Sequence, residues 1–510
     1  MVRRRGRDRR AAEEDAPPEQ PAVWPGLSGG QFAPLSPDEL ETCHEAVLAL
    51  LETLGLSQAT PSMIQLVCEA GGSLTDDGRL LFPRALVLRS IAEARRDVVL
   101  YGRGDADDLD LSGSRLHMSS GGGAPGVFDI DTGEYREGTM QDLFDAARLC
   151  DAMENIHHFS RSIIVRDAET PRALDINTAY ACLAGTRKHV SISVSEPEHV
   201  ADIAAICHEI AGGEAAFRAC PFLTIMVCHV VPPMRFASEA CDTMEVAVRA
   251  GFPVQIISAG QAGATSPATI AGSLVQAVAE TLAGLVFVRL VDPEVRAIFA
   301  PKPLVADLRT GAMCGGGGEQ AILMAGAAQM GRYYDLPTSS IAGITDAKTV
   351  DAQFGSEKTL AVTMAAHAGS NLITQACGMQ ASLLGVSLEA YVADNDMLGN
   401  ILRTIRGVEA SPENIAAEVI ADVCRGEGHY LGHSQTLERM KADYYYPDLG
   451  DRRTPREWWE DGATSLQDRA KAKAKELLAT HFPDTLDAET DRRIRDQFDI
   501  LLPETAMRAK

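Results

Sequence analysis

Apolar residues begin to recur at helical spacing from Ser36 onward. Ser36 and Glu39 stand at capping-box spacing and Pro37 suits the first helical position. Leu40, Val47, Leu50, Leu51 and Leu54 follow a helical period that Gly55 ends. Two more helices are expected near residues 61–70 and 83–95, which makes 36–114 a small, mainly helical N-terminal region. From about residue 115 short apolar or β-branched runs alternate with longer helical patterns. The strands expected are 116–119, 158–165, 189–194, 222–228, 254–258, 296–299, 338–341 and 372–376. The helices expected between and after them are 139–154, 170–184, 197–211, 235–250, 266–286, 317–334, 350–368 and 387–403. Eight strands, each followed by a helix, form the pattern of an α/β protein with a (β/α)8 TIM-type barrel over 115–409. A doubly wound open sheet is the competitor. The glycine run at 119–126, SSGGGAPG, lacks the spacing and the immediate helix of its phosphate turn. Residues 410–510 read as a helical C-terminal extension, and residues 1–35, rich in Arg, Glu, Pro and Gly, as a disordered tail.

Composition narrows the function more than the fold. The chain has 510 residues, 45% apolar and 23% charged, enough for a full core. Its net charge of -24 argues against nucleic acid as the main ligand, because phosphate binding needs a clustered positive surface. No stretch reaches about 18 uninterrupted apolar residues, so no membrane span is expected. The basic start has no apolar segment behind it and cannot act as a secretory signal. Eleven cysteines without a CxxC pair, several in apolar runs (Cys68, Cys150, Cys207, Cys228), read as buried reduced thiols and point to the cytoplasm.

In a barrel the loops after the strands build the site, which directs the search for chemistry. The loop after the sixth strand carries Gly315, Gly316, Gly317 and Gly318, with Glu319 opening the next helix. Such a run permits close backbone approach to a ligand. A flexible hinge is the plainer reading. The loop after the seventh strand gathers Asp346, Lys348, Asp351, Gln353 and Glu357, which otherwise form a solvated charge run. Arg161, placed within the second strand, needs a carboxylate: that of a substrate, or of a structural ion pair. Tyr333, Tyr334 and Phe354 stand near these loops in sequence and could face a quaternary ammonium, with helix packing as the alternative. His229 reads as a core histidine. His429 and His433 have HxxxH spacing but no third ligand, so no metal is expected.

Several segments in order then become informative together. ACLAGTRKHVSISVSEP, GATSPATIAGSLVQAVAETLAG, GGGEQAILMAGAAQMGRYYDLPTSS, GITDAKTVDAQFGSEK, AGSNLITQACGM and GEGHYLGHSQTL make the chain resemble the trimethylamine methyltransferase family from about residue 36 to 480. The resemblance implies a TIM barrel that takes a methyl group from a methylated amine and passes it to the Co(I) corrinoid of a separate carrier protein. No tightly bound cofactor is expected in the chain itself, and a homo-oligomer is the expected assembly. Members acting on trimethylamine carry pyrrolysine. No such residue occurs here, and the matching position is expected in or near 338–350. In lacking it the chain is similar to glycine betaine methyltransferases, which act on quaternary amines. The alternatives are a trimethylamine:corrinoid methyltransferase, a non-catalytic betaine-binding barrel, or a lyase on the same barrel. On the leading reading Asp346, Lys348 and Asp351 are the catalytic candidates. Gln353, Glu319, Arg161, Tyr333 and Phe354 are the substrate contacts, and Gly315–Gly318 face the corrinoid.

Overall fold

The computed structural model describes residues 21–426 and 428–508. Each of the eight expected strand–helix pairs is present. The strands are β1 (Arg115–Met118), β2 (Phe159–Ser160), β3 (Val190–Ile192), β4 (Leu223–Cys228), β5 (Val254–Ser258), β6 (Ala297–Pro301), β7 (Ser339–Ile341) and β8 (Leu372–Thr374). The helices that follow them are α1 (Met140–Ala152), α2 (Pro171–Gly185), α3 (His199–Ala211), α4 (Ser238–Arg249), α5 (Ile270–Val291), α6 (Gly318–Tyr333), α7 (Ala352–His367) and α8 (Leu388–Arg406). The strands lie in two parallel ladders, β2-β3-β4-β5-β6 and β1-β8-β7. Isolated parallel bridges join Ser119 to His158 and Phe299 to Thr338 between the two ladders. The fold is thus α/β, with parallel sheets, as the alternation of short β-branched runs and helical patterns requires.

α5 departs from the sequence expectation in kind as well as in bounds. It is longer than the helix read at 266–286, and by length and composition it could cross a membrane. Yet 83% of its apolar window is buried inside the protein. The cause is the N-terminal region. Helices Pro37–Thr53, Pro61–Glu69 and Arg84–Glu93 all pack on α5, so a helix already covering the sheet is covered again on its outer side. The first of these helices starts at the expected capping box, with Ser36 and Glu39 satisfying each other's backbone amides.

The tail assigned to 1–35 divides in two. Residues 1–20 lie outside the described residues. Residues 21–35 correct the expectation: Leu27–Ser28 pairs antiparallel with β1, and Leu27 is buried. Gly29 passes so near the Ala366 carbonyl that a Cβ there would stand at 2.1 Å. Polar composition does not prevent docking when the backbone itself finds a strand edge. At the other end, helix Leu466–Thr480 packs on α8 and α1. Arg148 of α1 bonds the carbonyls of Leu478 and His481 and stacks 3.9 Å from the Phe482 ring centroid.

Candidate active site

The loops after β6, β7 and β8 meet at the C-terminal edge of the strands. Asp346 is the knot. Its carboxylate accepts the amides of Gly315 (2.8 Å) and Gly316 (3.4 Å), the Cys314 thiol (3.2 Å) and the Ser382 hydroxyl (2.5 Å). Burial pushes the Asp346 carboxyl up, but these donors outweigh it and hold the group below its ordinary value. The glycine run is shaped by the same packing. A Cβ on Gly315 would meet Ile344 at 2.1 Å and one on Gly316 would meet Glu357 at 2.1 Å, whereas Gly318 has nothing within 4 Å. So the first two glycines let the loop pass tightly, and the last leaves the edge open. Opposite them, Ala381, Ser382 and Leu383 all hold positive φ, of 50°, 54° and 71°. Three consecutive side-chain-bearing residues in that region are strained. They are pinned by Ala381 N donating to Ala347 O and Ser382 N donating to Thr345 O, both 2.9 Å.

The other residues proposed from sequence divide sharply. Lys348 is exposed and donates to the Asp346 carbonyl at 2.6 Å rather than to a carboxylate. Asp351 caps α7, accepting the Phe354 amide at 3.0 Å, and that bond lowers its pKa. Gln353 is exposed and donates to Glu357 at 2.8 Å. Glu319 is exposed in the first turn of α6. Phe354 is buried, with Lys358 4.6 Å from its ring centroid. Tyr333 needs correcting. It ends α6, fifteen residues beyond Gly318, where its hydroxyl donates to Glu41 at 2.5 Å and its ring meets His44. Sequence proximity misled here because a helix carries its last residue about 1.5 Å per residue away from its first. Tyr333 and Phe354 therefore make no cage around a cation.

Arg161 lies directly after β2 and is half-buried. Its Nη2 donates to Ser193 Oγ at 3.3 Å, and its Nε is buried without a partner. Burial lowers its pKa. Among the described residues it forms no ion pair. Asp175, whose field reaches it, is engaged by Ser195 (2.6 Å) and His199 (2.7 Å). Cys228, the last residue of β4, corrects the expectation of a buried thiol: it is exposed at this edge. Its immediate surroundings still push the thiol up, and the Arg161 and Lys302 cations act against that.

Lys302 was missed. It follows β6 between Pro301 and Pro303 and is 3% exposed. Its Nζ donates to Thr374 Oγ1 of β8 at 2.8 Å and to Gln255 Oε1 of β5 at 3.4 Å. A lysine held between two prolines at a strand end was the available signal. It is a rigid frame for one side chain. Lys358, also missed, is buried against Asp394 at 2.6 Å, and Asp394 accepts the Gly378 amide at 2.8 Å. His229 is buried with its ring nitrogens 3.1 and 2.9 Å from the carbonyls of Ile257 and Glu280, and His433 caps helix Ser434–Ala442.

Comparison with known proteins supplies the context. A family model described as trimethylamine methyltransferase (MTTB) matches residues 3–499. The chain is 27% identical over 471 residues to a glycine betaine methyltransferase of Desulfitobacterium hafniense, covering 91% of this chain and 97% of that protein. It is 30% identical over 474 residues to a trimethylamine methyltransferase of Methanosarcina mazei, covering 92% of this chain and 95% of that one. Among solved structures, the monomethylamine methyltransferase of Methanosarcina barkeri matches with a TM-score of 0.50 at 13% identity, over 88% of this chain and 89% of that one. That likeness concerns the fold alone. The family match spans nearly the whole sequence, and the chain belongs to the trimethylamine methyltransferase family of methyltransferases.

Proposed function

We propose that the protein moves a methyl group from a quaternary methylated amine bearing a carboxylate, of the glycine betaine kind, to the Co(I) corrinoid of a partner protein. We further propose that its two parallel ladders act as one (β/α)8 barrel whose mouth receives the donor. The parallel bridges at Ser119–His158 and Phe299–Thr338 support closure. The observation that carries the donor assignment is Arg161. A half-buried guanidinium with an enclosed, unpartnered Nε and no carboxylate beside it favours a ligand that supplies the anion. Trimethylamine has no such group.

The corrinoid supplies the nucleophile. Gly315–Gly318 would face it, with Gly318 exposed at the start of α6. The chain's own part is to hold the donor by its carboxylate at Arg161, turn its methylated end outward and keep water from the reacting carbon. The C–N bond breaks with its electron pair left on nitrogen, so a quaternary donor leaves as a neutral amine and no proton need be delivered. Asp346 acts by position, holding the Gly315–Gly316 turn in place. Lys348, Asp351, Gln353 and Glu319 stay on the outer lip, where a partner would pass. All eleven cysteines are free, which suits a reducing cytoplasm. Val408, Leu431, Leu437 and Tyr444, each at least 60% exposed, support a homo-oligomer.

The test is a donor screen with reduced cobalamin, following the cobalt absorption. Glycine betaine, proline betaine or carnitine should be demethylated and trimethylamine should not. Equal rates with a donor that lacks a carboxylate would sink the donor assignment. Binding without transfer for every donor would favour a non-catalytic betaine binder.

A further inference from the structure

The chain after α8 is built differently from the barrel. Residues 408–426 and 428–446 form an arm with helices Pro412–Ile415, Ala417–Arg425 and Ser434–Ala442, and Val423 is the single buried residue in the three. The base of the arm is fixed. Arg403 of α8 donates to the Asp443 carbonyl at 2.7 Å, and Arg406 donates to the Asp443 carboxylate at 3.0 Å. Gly399 leaves the gap that the Tyr445 ring fills, since a Cβ there would stand 2.2 Å from it. Beyond the base, apolar side chains meet water. Val408 (95% exposed), Leu431 (84%), Leu437, Met440, Tyr444 and Tyr446 line one cleft of about 840 Å³. With Ile415 and Ile420 of the same arm they expose on the order of 1,000 Å², above the roughly 300–600 Å² of the largest apolar patch on a typical monomer and enough for the roughly 800 Å² that each partner gives to a stable interface.

We propose that this arm is the interface on which two copies of the chain pair about a two-fold axis, arm against arm, each covering the cleft of the other. This rests on the homo-oligomer reading and gives it a place in the fold. Helices of 4, 9 and 9 residues are too short to hold in water alone, where even about 12–15 residues are marginal, so their cover must be present whenever the chain is folded. A carrier that comes and goes does not meet that need, and a second copy does. Position separates the two as well. α8 runs from the mouth back to the opposite edge of the strands. There Tyr444, Tyr445 and Tyr446 border a cleft with Met153, Asn155 and Lys188, which precede β2 and β3. Pairing at that edge leaves both mouths open. Charge agrees. The chain carries -24, which opposes association, yet the arm offers charges of both signs. Glu418 and Asp422 stand on one helix and Lys441 on another, none with an ion pair among the described residues, so two arms can complement each other.

The experiment measures the mass of the full chain in solution by sedimentation, in the wild type and in Leu431→Glu, Leu437→Glu and Leu308→Glu. Leu308, on the loop after β6, is 67% exposed and stands outside the arm. The wild type should have the mass of two chains or an even multiple of it. Leu431→Glu and Leu437→Glu should fall to half that mass or less, their dissociation constant raised at least about 100-fold by a carboxylate caught in a desolvated contact. Leu308→Glu should keep the wild-type mass. Hydrogen exchange on the wild type gives a second measurement that needs no variant. Amides of Ala417–Arg425 and Ser434–Ala442 should be protected in concentrated protein and lose that protection on dilution, while those of α5 stay protected throughout. A wild type with the mass of one chain overturns the arm interface and the homo-oligomer reading together. An oligomer whose mass both arm variants leave unchanged overturns the arm interface alone. So do arm amides that exchange equally fast at both concentrations, and so does mass lost in Leu308→Glu but kept in Leu431→Glu.

Discussion

Two buried lysines, Lys358 and Lys302, sit beneath the same rim and are treated in opposite ways. Lys358 lies wholly buried on α7 with a carboxylate at 2.6 Å, a carbonyl and an aromatic face. Lys302 lies after β6 with a hydroxyl and an amide oxygen. The effect on ionisation differs accordingly. At Lys358 the strain appears on the partner: burial raises the Asp394 carboxyl to about 6 even though the lysine pulls the other way. At Lys302 burial acts without a counter-ion and the amine itself falls to about 7. A paired charge is a fixture of the fold. An unpaired one stores an unmet demand that a ligand can satisfy.

The contrast breaks most readily at the paired site. Asp394→Ala strands the Lys358 cation and should cost about 3–5 kcal/mol in denaturant unfolding. Replacing both partners, Lys358→Met with Asp394→Leu, should cost far less, because no charge is left buried. A double variant as unstable as the single one would show that the pair is not what makes Asp394 matter.

At Lys302 the expected sign is reversed. Its folded value, near 7, lies below its ordinary value of 10.5. Between those two pH values the unfolded chain binds a proton that the folded chain does not, so wild-type stability gains from this group as pH rises from 7 to 10.5. Below 7 both states are protonated and the full cost of burying the cation is present. Lys302→Met should therefore be more stable than wild type near pH 6, by an amount on the order of a few kcal/mol at most. The difference should fade towards pH 10.5. Thermal unfolding of both proteins across that range decides it. A constant difference at all pH values would remove the special status of this lysine.

What the sequence revealed follows from what periodicity can encode. The eight strand–helix pairs were legible because alternation of short apolar runs with helical spacing is a property of the chain itself. The knot at Asp346 was half legible. Strand counting brought the two loops to neighbouring positions, but a polar residue looks the same whether it meets a ligand or the amides of Gly315 and Gly316. Lys302 and Cys228 were lost for a different reason. Whether a strand-end side chain is enclosed or exposed depends on register with the strands beside it, and no local pattern reports that. Tyr333 failed by length: residues near in sequence stood at opposite ends of one helix.

The smallest effects test the rim itself, where the sequence had grouped Asp346 and Asp351 as equals. Asp346 takes four donors from two neighbouring loops, and its carboxyl is held low by them. Asp351 caps one helix at the surface. Asp346→Asn keeps the shape but removes the charge those donors converge on and turns one oxygen into a donor facing donors. It should cost about 1.5–3 kcal/mol and lower methyl transfer by loosening the Gly315–Gly316 turn. Asp351→Asn keeps a good capping residue and should change stability by only a few tenths of a kcal/mol, with methyl transfer close to wild type. Measured side by side, unfolding midpoints and transfer rates that moved equally in both variants would mean that the rim works as one surface. Loss confined to Asp346→Asn would mark Asp346 as the residue that holds the Gly315–Gly316 turn in place.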